Sequence, residues 1–254
     1  MVLWIDSFNN AFSPQVLEAA VVVFEHHGVG VQIIQRHVCC GRPFYDVGML
    51  DEARANLNAI LNQVEPFLWK HYPIVVLEPS CLSVFRDELP ALFPDDKRAQ
   101  VLSRAVVTFA EFVERENIPL PEAVKAPHIH GHCHQKACGG MNAEQSLLAK
   151  MDARDHLLNT GCCGMAGAYG YNAKTEEVSK KIGRDIWAPQ LSNVPDDDVV
   201  VADGFSCRSQ AANVAGRHAL HLAEWMALQI LNQRGAAEQN ENVNLVRLSE
   251  ATEI

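Results

Sequence analysis

One pattern, present twice, constrains this chain more than any other: an apolar stretch ends in a cysteine-bearing loop, a helix-forming segment follows, and the whole set recurs about half a chain later. The first copy opens with apolar residues over 2–5 and a turn at Asp6-Ser7-Phe8-Asn9. A helix is expected over 14–27, with Pro14 at its opening and Gly28 at its stop, the usual asymmetry of helix ends. A strand over 31–34 then runs into His37-Val38-Cys39-Cys40-Gly41, a helix covers 50–64, and a strand over 74–77 ends in Glu78-Pro79-Ser80-Cys81. The second copy repeats this grammar. A strand at Ile129 runs into Gly131-His132-Cys133-His134 and a helix follows over 142–151. A short strand over 156–158 leads to Thr160-Gly161-Cys162-Cys163-Gly164, a helix covers 174–187, and a strand over 199–202 leads to Gly204-Phe205-Ser206-Cys207. A helix over 98–114 and a Pro-rich stretch over 118–127 form the joint. The expected domains are therefore a first repeat over 1–120, a second over 121–234 and a polar, acidic tail over 235–254 that frays.

Strands alternating with helices of this length predict parallel βαβ units, hence an α/β fold made of two tandem similar halves. Such sheets place ligands outside the carboxyl ends of their strands, and every cysteine except Cys138 falls there. Cys138 lies inside a helix-forming stretch and reads as a small buried hydrophobe.

Adjacent cysteines followed by glycine are costly, because neighbouring thiols point apart unless the backbone bends; Gly41 and Gly164 permit that bend. Iron–sulfur clusters are held by thiolates, usually four, and the second copy offers Cys133, Cys162, Cys163 and Cys207. The alternatives there are a structural zinc site or four buried structural cysteines. The first copy offers Cys39, Cys40 and Cys81, aligned with Cys162, Cys163 and Cys207. Ser7 stands opposite Cys133, with Asp6 beside it. An incomplete cluster site, a zinc site that uses Asp6 or His37, and a metal-free relic all remain open, since oxygen ligands favour harder ions.

His128, His130, His132 and His134 alternate along the expected strand and so share a face. They are read as lining the pocket or donating hydrogen bonds to sulfur rather than as a separate metal site. Small residues over 164–170 lack the lysine of a phosphate loop and the dinucleotide spacing, so close packing is the better account. Arg42 and Arg208 follow cysteine motifs, where they either face an anionic group or lie in solvent.

The balance of the 254 residues excludes several classes. A net charge of −10 disfavours nucleic acid as a partner, because such binding draws on Lys and Arg at phosphates. No apolar run reaches the roughly 20 residues that span a bilayer, and no transmembrane segment is expected. The N-terminal segment does not read as a secretory signal, so the expected location is the cytoplasm, where eight cysteines favour metal ligation over disulfides.

The paired CCG motifs with flanking cysteines resemble the cysteine-rich CCG domain of the heterodisulfide reductase B subunit, the glycerol-3-phosphate dehydrogenase C subunit and glycolate oxidase iron–sulfur subunits. The strings CCGRP, EPSC, HGHCHQKA, GCCGMAG and ADGFSCR further resemble the C-terminal iron–sulfur region of FAD-linked D-2-hydroxyacid dehydrogenases of the D-lactate and D-2-hydroxyglutarate type. The likeness spans about 2–227. It implies an oxidoreductase component that relays electrons from flavin to a quinone or cytochrome through a [4Fe–4S] cluster on Cys133, Cys162, Cys163 and Cys207, with zinc as the alternative at the first site. The fullest family pattern carries five thiolates and a non-cubane cluster. Here Glu78 and Gly204 replace the first cysteine of each terminal pair and Ser7 replaces the opening one, which favours a conventional four-thiolate cluster. Asp6, Ser7, Glu78, His132, His134 and Arg208 are the candidates for surrounding such sites. The sequence contains no flavin domain and no Cys-x-x-Cys-x-x-Cys run, so FAD is expected only in a partner domain or subunit, through which the protein would sit at the inner membrane. Other readings are heterodisulfide reductase-like thiol–disulfide catalysis and a zinc-bearing structural module.

Overall fold

A strand covered on both faces needs apolar side chains at odd and even positions alike, and the apolar runs over 2–4, 74–76 and 200–202 fold as such strands. The protein, as a computed structural model, is described at residues 1–34, 36–121 and 125–233; the tail over 235–254 and the middle of the Pro-rich joint lie outside the described residues. The first half comprises β1 (Val2–Trp4), α1 (Ser7–Phe12), α2 (Pro14–His26), β2 (Gln32–Ile33), α3 (Arg42–Asp46), α4 (Leu50–Leu68), β3 (Ile74–Val76) and α5 (Pro79–Ser83). It continues with α6 (Leu89–Leu92), α7 (Lys97–Ala105), β4 (Val106–Val107) and α8 (Phe109–Arg115). The second half comprises β5 (His128–His130), α9 (Cys133–Cys138), α10 (Asn142–Lys150), β6 (Leu157–Leu158), α11 (Glu176–Ile182), α12 (Ala188–Ser192), β7 (Val200–Ala202), α13 (Phe205–Ala215) and β8 (Ala219–Leu220), and a helix α14 covers 222–233.

Two four-stranded sheets result, ordered β2-β1-β3-β4 and β6-β5-β7-β8. Every pairing is parallel, with Val2 opposite Ile74 in one sheet and Ile129 opposite Val201 in the other. The fold is α/β with two similar halves of the same strand order, as expected. Strand parity then sorts the core. Val2, Trp4, Ile74 and Val76 point to an outer layer with Leu57, Ile60 and Leu61 of α4. Leu3 and Val75 point the other way, into a central layer that also receives Ile129 and Val201 of the second sheet. Phe24 of α2, Phe109 and Phe112 of α8, Leu147 of α10 and Trp225 of α14 fill that layer, so the halves share one apolar core. Burial of this kind contributes about 25 cal/mol per Å² and is the main force holding them together.

The structure departs from the sequence reading at several elements. The helix expected over 98–114 is broken: Val106 and Val107 leave it to pair with β3, and a reciprocal capping box between Thr108 and Glu111 starts α8 afresh. The edge strands β4 and β8 hold two residues each, too few to show a period. The turn at 6–9 is the start of α1, capped by Asp6. α4 runs on through Pro66 to Leu68. The imidazoles do not all alternate on one strand, because β5 ends at His130, His132 caps α9 and His134 lies within it. Cys138 ends α9 half-buried rather than inside the core. Among the described residues no helix is long and apolar enough to cross a membrane.

Candidate metal centre

Parallel strands bring the loops that follow β1, β2 and β3, and those that follow β5, β6 and β7, to one end of each sheet, and the cysteines other than Cys138 lie on these loops or in the first turns of the helices after them. In the second half the four expected thiols form one chain of contacts. Cys133 meets Cys162, Cys162 meets Cys163, and the Sγ atoms of Cys163 and Cys207 are 3.6 Å apart. Cys133 and Cys162 are half-buried and the other two are buried. The backbone N–H of Gly164 donates to Cys162 Sγ at 3.3 Å. Hydrogen bonds from Cys133 and Cys163, with that N–H, hold the Cys162 thiol far below its ordinary range, while the same contacts push Cys133 and Cys163 up. Cys207 is also held down, by its contact with Cys163 and then by the imidazoles of His132 and His130.

Gly204 explains one departure from the family pattern. A Cβ there would lie 2.3 Å from Cδ2 of His132 and 3.4 Å from Cys207 Sγ. The His132 ring fills the space a side chain would need, and its Nδ1 accepts from the N–H of His134, which leaves Nε2 as the protonated nitrogen. His130 bonds Thr160 through Nδ1 at 2.6 Å, and its Nε2 is a buried nitrogen with no hydrogen-bond partner among the described residues.

In the first half, Cys40 and Cys81 have their Sγ atoms 3.0 Å apart and Cys39 contacts Cys40. The Cys40 contact pulls the Cys81 thiol down, but burial and the carboxylates of Asp6 and Glu78 raise it to about 11. Ser7 sits beside Cys39 and pairs with His37 Nε2 at 3.0 Å. Both Asp6 oxygens accept from Asn9, so this carboxylate is committed to the cap of α1, and burial followed by the Glu78 charge raises its pKa to about 6. The first site is thus faced by carboxylates and the second by imidazoles. Among the described residues no group of three or more His, Cys, Asp or Glu is arranged to hold a single metal ion.

The guanidinium groups of both arginines bind oxygen, although the backbone N–H of Arg42 donates to the Cys40 sulfur. Arg208 donates to the carbonyls of Ala202 and Asp203 and to Asn9 Oδ1, and Arg42 binds Glu88 and Ser83. Other supporting residues escaped the sequence reading. Gln210 is buried on α13 and donates to the carbonyls of Cys163 and Ser179, which ties the CCG loop to α11; its place three residues after Cys207 was the available signal. Gln135, two residues after Cys133, donates to Glu144 Oε1 at 2.6 Å.

Burial and then the Asp203 carboxylate raise Glu144 to about 7 from its ordinary 4.5. Between those values the native state holds more protons than the unfolded chain, so this group's cost appears as pH rises through the window and is full above it. Glu144→Gln is therefore expected to match the parent below pH 4.5 and to exceed it in stability above pH 7, by on the order of 3 kcal/mol. Urea denaturation across that range measures it, and parallel curves would contradict it.

Fold and site together define a tandem α/β protein that gathers cysteines at the strand ends of each half. Residues 6–86 match the family model CCG, the cysteine-rich domain, which upholds the resemblance carried by the motifs. The chain is 27% identical over 213 residues to the C subunit of anaerobic glycerol-3-phosphate dehydrogenase from Escherichia coli, covering 80% of this chain and 52% of that protein. It is 26% identical over 226 residues to D-2-hydroxyglutarate dehydrogenase of Pseudomonas putida, covering 88% of this chain and 22% of that protein. Lactate utilization protein A of Bacillus velezensis is 26% identical over 253 residues, covering 91% of this chain and 98% of that protein. The chain thus spans about half of the first relative and a smaller part of the second.

Proposed function

We propose that this chain is an iron–sulfur electron-transfer module of an FAD-linked D-2-hydroxyacid dehydrogenase. The carrying observation is the contiguous set Cys133, Cys162, Cys163 and Cys207 at the strand ends of one sheet, two of them buried and two open toward solvent. Those residues would hold a [4Fe–4S] cluster, since four thiolates are its usual ligands, and Cys39, Cys40 and Cys81 would form the incomplete counterpart. Such a cluster supplies one-electron transfer when bound. The chain's own contribution is to place the thiols, to keep Cys163 and Cys207 from water, and to set the imidazoles of His130 and His132 beside Cys207, where a ring N–H favours added negative charge.

The dehydrogenase names of the relatives, one a subunit and one a longer chain, support a dehydrogenase partner, to which the proposal assigns FAD and the oxidation of substrate. A quinone or cytochrome is the proposed acceptor, and the cytoplasm, at the inner membrane through partners, the proposed location. Oxygen-free isolation should yield a brown protein with iron and sulfide in near-equal amount. A colourless product that contains only zinc would overturn this reading in favour of a zinc-bearing module.

A further inference from the structure

Glu78 stands where the resembling family has the first cysteine of the terminal pair, and it does something a thiol could not. The residue is 2% exposed. One carboxylate oxygen, Oε1, accepts from the backbone N–H of Ser80 at 3.1 Å and from Ser80 Oγ at 2.6 Å, which caps α5, the helix that carries Cys81. The other, Oε2, crosses to the second half and accepts from the backbone N–H of Phe205 at 2.8 Å. Phe205 opens α13, the helix that carries Cys207, and the residue before it is Gly204, which has no side chain with which to cap. First-turn N–H groups of a helix have no partner within it, and a carboxylate at that end is also favoured by the helix dipole. A residue of the first half thus supplies the cap that the second half lacks. Phe8 and Phe12, on α1, stack on the Phe205 ring with centroids 5.7 and 5.5 Å away, which closes this junction from outside.

We infer that Glu78 is a positioning residue that locks the Cys81 helix to the Cys207 helix, so that the thiols of the second half are held in place by a carboxylate of the first. This deepens the iron–sulfur reading, but its test does not depend on it.

In the metal-free, reduced wild-type protein the Phe205 amide, which would otherwise exchange freely at a helix start, is expected to be protected from hydrogen exchange as strongly as the Ser80 amide. A freely exchanging Phe205 amide overturns the proposal without any variant. Glu78→Asp keeps the charge and an ordinary cap for α5, but is one methylene too short to reach Phe205. It should speed alkylation of Cys207 by roughly tenfold or more, the factor for losing a hydrogen bond to a charged group, and leave Cys81 within about twofold. Glu78→Gln, which cannot accept at both ends, should also speed alkylation, and Ser80→Ala should leave Cys207 unchanged. Unchanged Cys207 rates in both Glu78 variants sink the proposal. In iron-loaded protein Glu78→Asp should also change the EPR signal of the second site. If the wild type holds no iron, the proposed function fails on that measurement while exchange and alkylation still decide the role of Glu78.

Discussion

Cys162→Ser is expected to strip the anaerobically isolated protein of most of its iron, whereas Cys138→Ser leaves the iron in place. Cys162 occupies the middle of the thiol chain, in contact with Cys133 on one side and Cys163 on the other, and receives the Gly164 N–H. Its contacts with Cys133 and Cys163 and the Gly164 N–H lower its pKa, and a serine hydroxyl at the same place is not ionised near neutral pH. Losing outer contacts of a metal site costs about 10–100-fold in affinity, so losing a ligand should cost more than about 100-fold. Half-buried and close in size to serine, residue 162 can change without opening the core, so a folded, colourless protein is the expected product. Cys138 sits at the end of α9, with burial and the carboxylates of Asp87 and Glu88 raising its thiol, an environment that opposes a thiolate. Iron and sulfide analysis with the visible spectrum reads the difference. Mixed with the flavin partner, the Cys162 variant should leave flavin reduction by substrate intact and abolish reduction of the acceptor. Equal loss of iron in both variants would sink the ligand set.

The repeat was legible because its parts are local. An apolar run, a cysteine loop and a helix each show in a short window, and seeing them twice fixed parallel sheets and placed Cys133, Cys162, Cys163 and Cys207 at strand ends. What stayed hidden depends on partners remote in sequence. Val106 and Val107 look helical beside α7, and only pairing to β3 makes them a strand. Glu78 reads as a lost cysteine until Phe205, 127 residues away, proves to be its partner. Gly204 reads as a second loss, yet its missing Cβ is what admits the His132 ring against Cys207. The two departures from the cysteine pattern therefore act differently, one placing a carboxylate on the Phe205 N–H and the other leaving room for an imidazole.

Gly164→Ala is expected to damage the protein far more than Gly41→Ala, although both glycines follow a Cys-Cys pair with positive φ, +94° and +88°. A left-handed backbone costs alanine about 1–2 kcal/mol at either position. At Gly41 little is added, because the new Cβ would stand 3.4 Å from the Ala53 backbone, an ordinary contact. At Gly164 it would stand 2.4 Å from the carbonyl oxygen of Ser179 and 3.1 Å from Ile182 Cβ, so α11 must move. That oxygen also accepts from Gln210, which at the same time holds the Cys163 carbonyl, so a shift of α11 unties the CCG loop from α13. Overpacking of this kind costs about 1–3 kcal/mol, and breaking the buried amide contacts adds to it. With 1 kcal/mol worth about 2–4 °C in Tm for a chain of this size, Gly164→Ala should lower Tm by more than about 10 °C and Gly41→Ala by only a few degrees. The Gly164 variant should also lose its iron while the Gly41 variant keeps the complete second site. Equal shifts in Tm would mean that the positive φ alone decides the cost and that the close approach of α11 to the CCG loop does not constrain it.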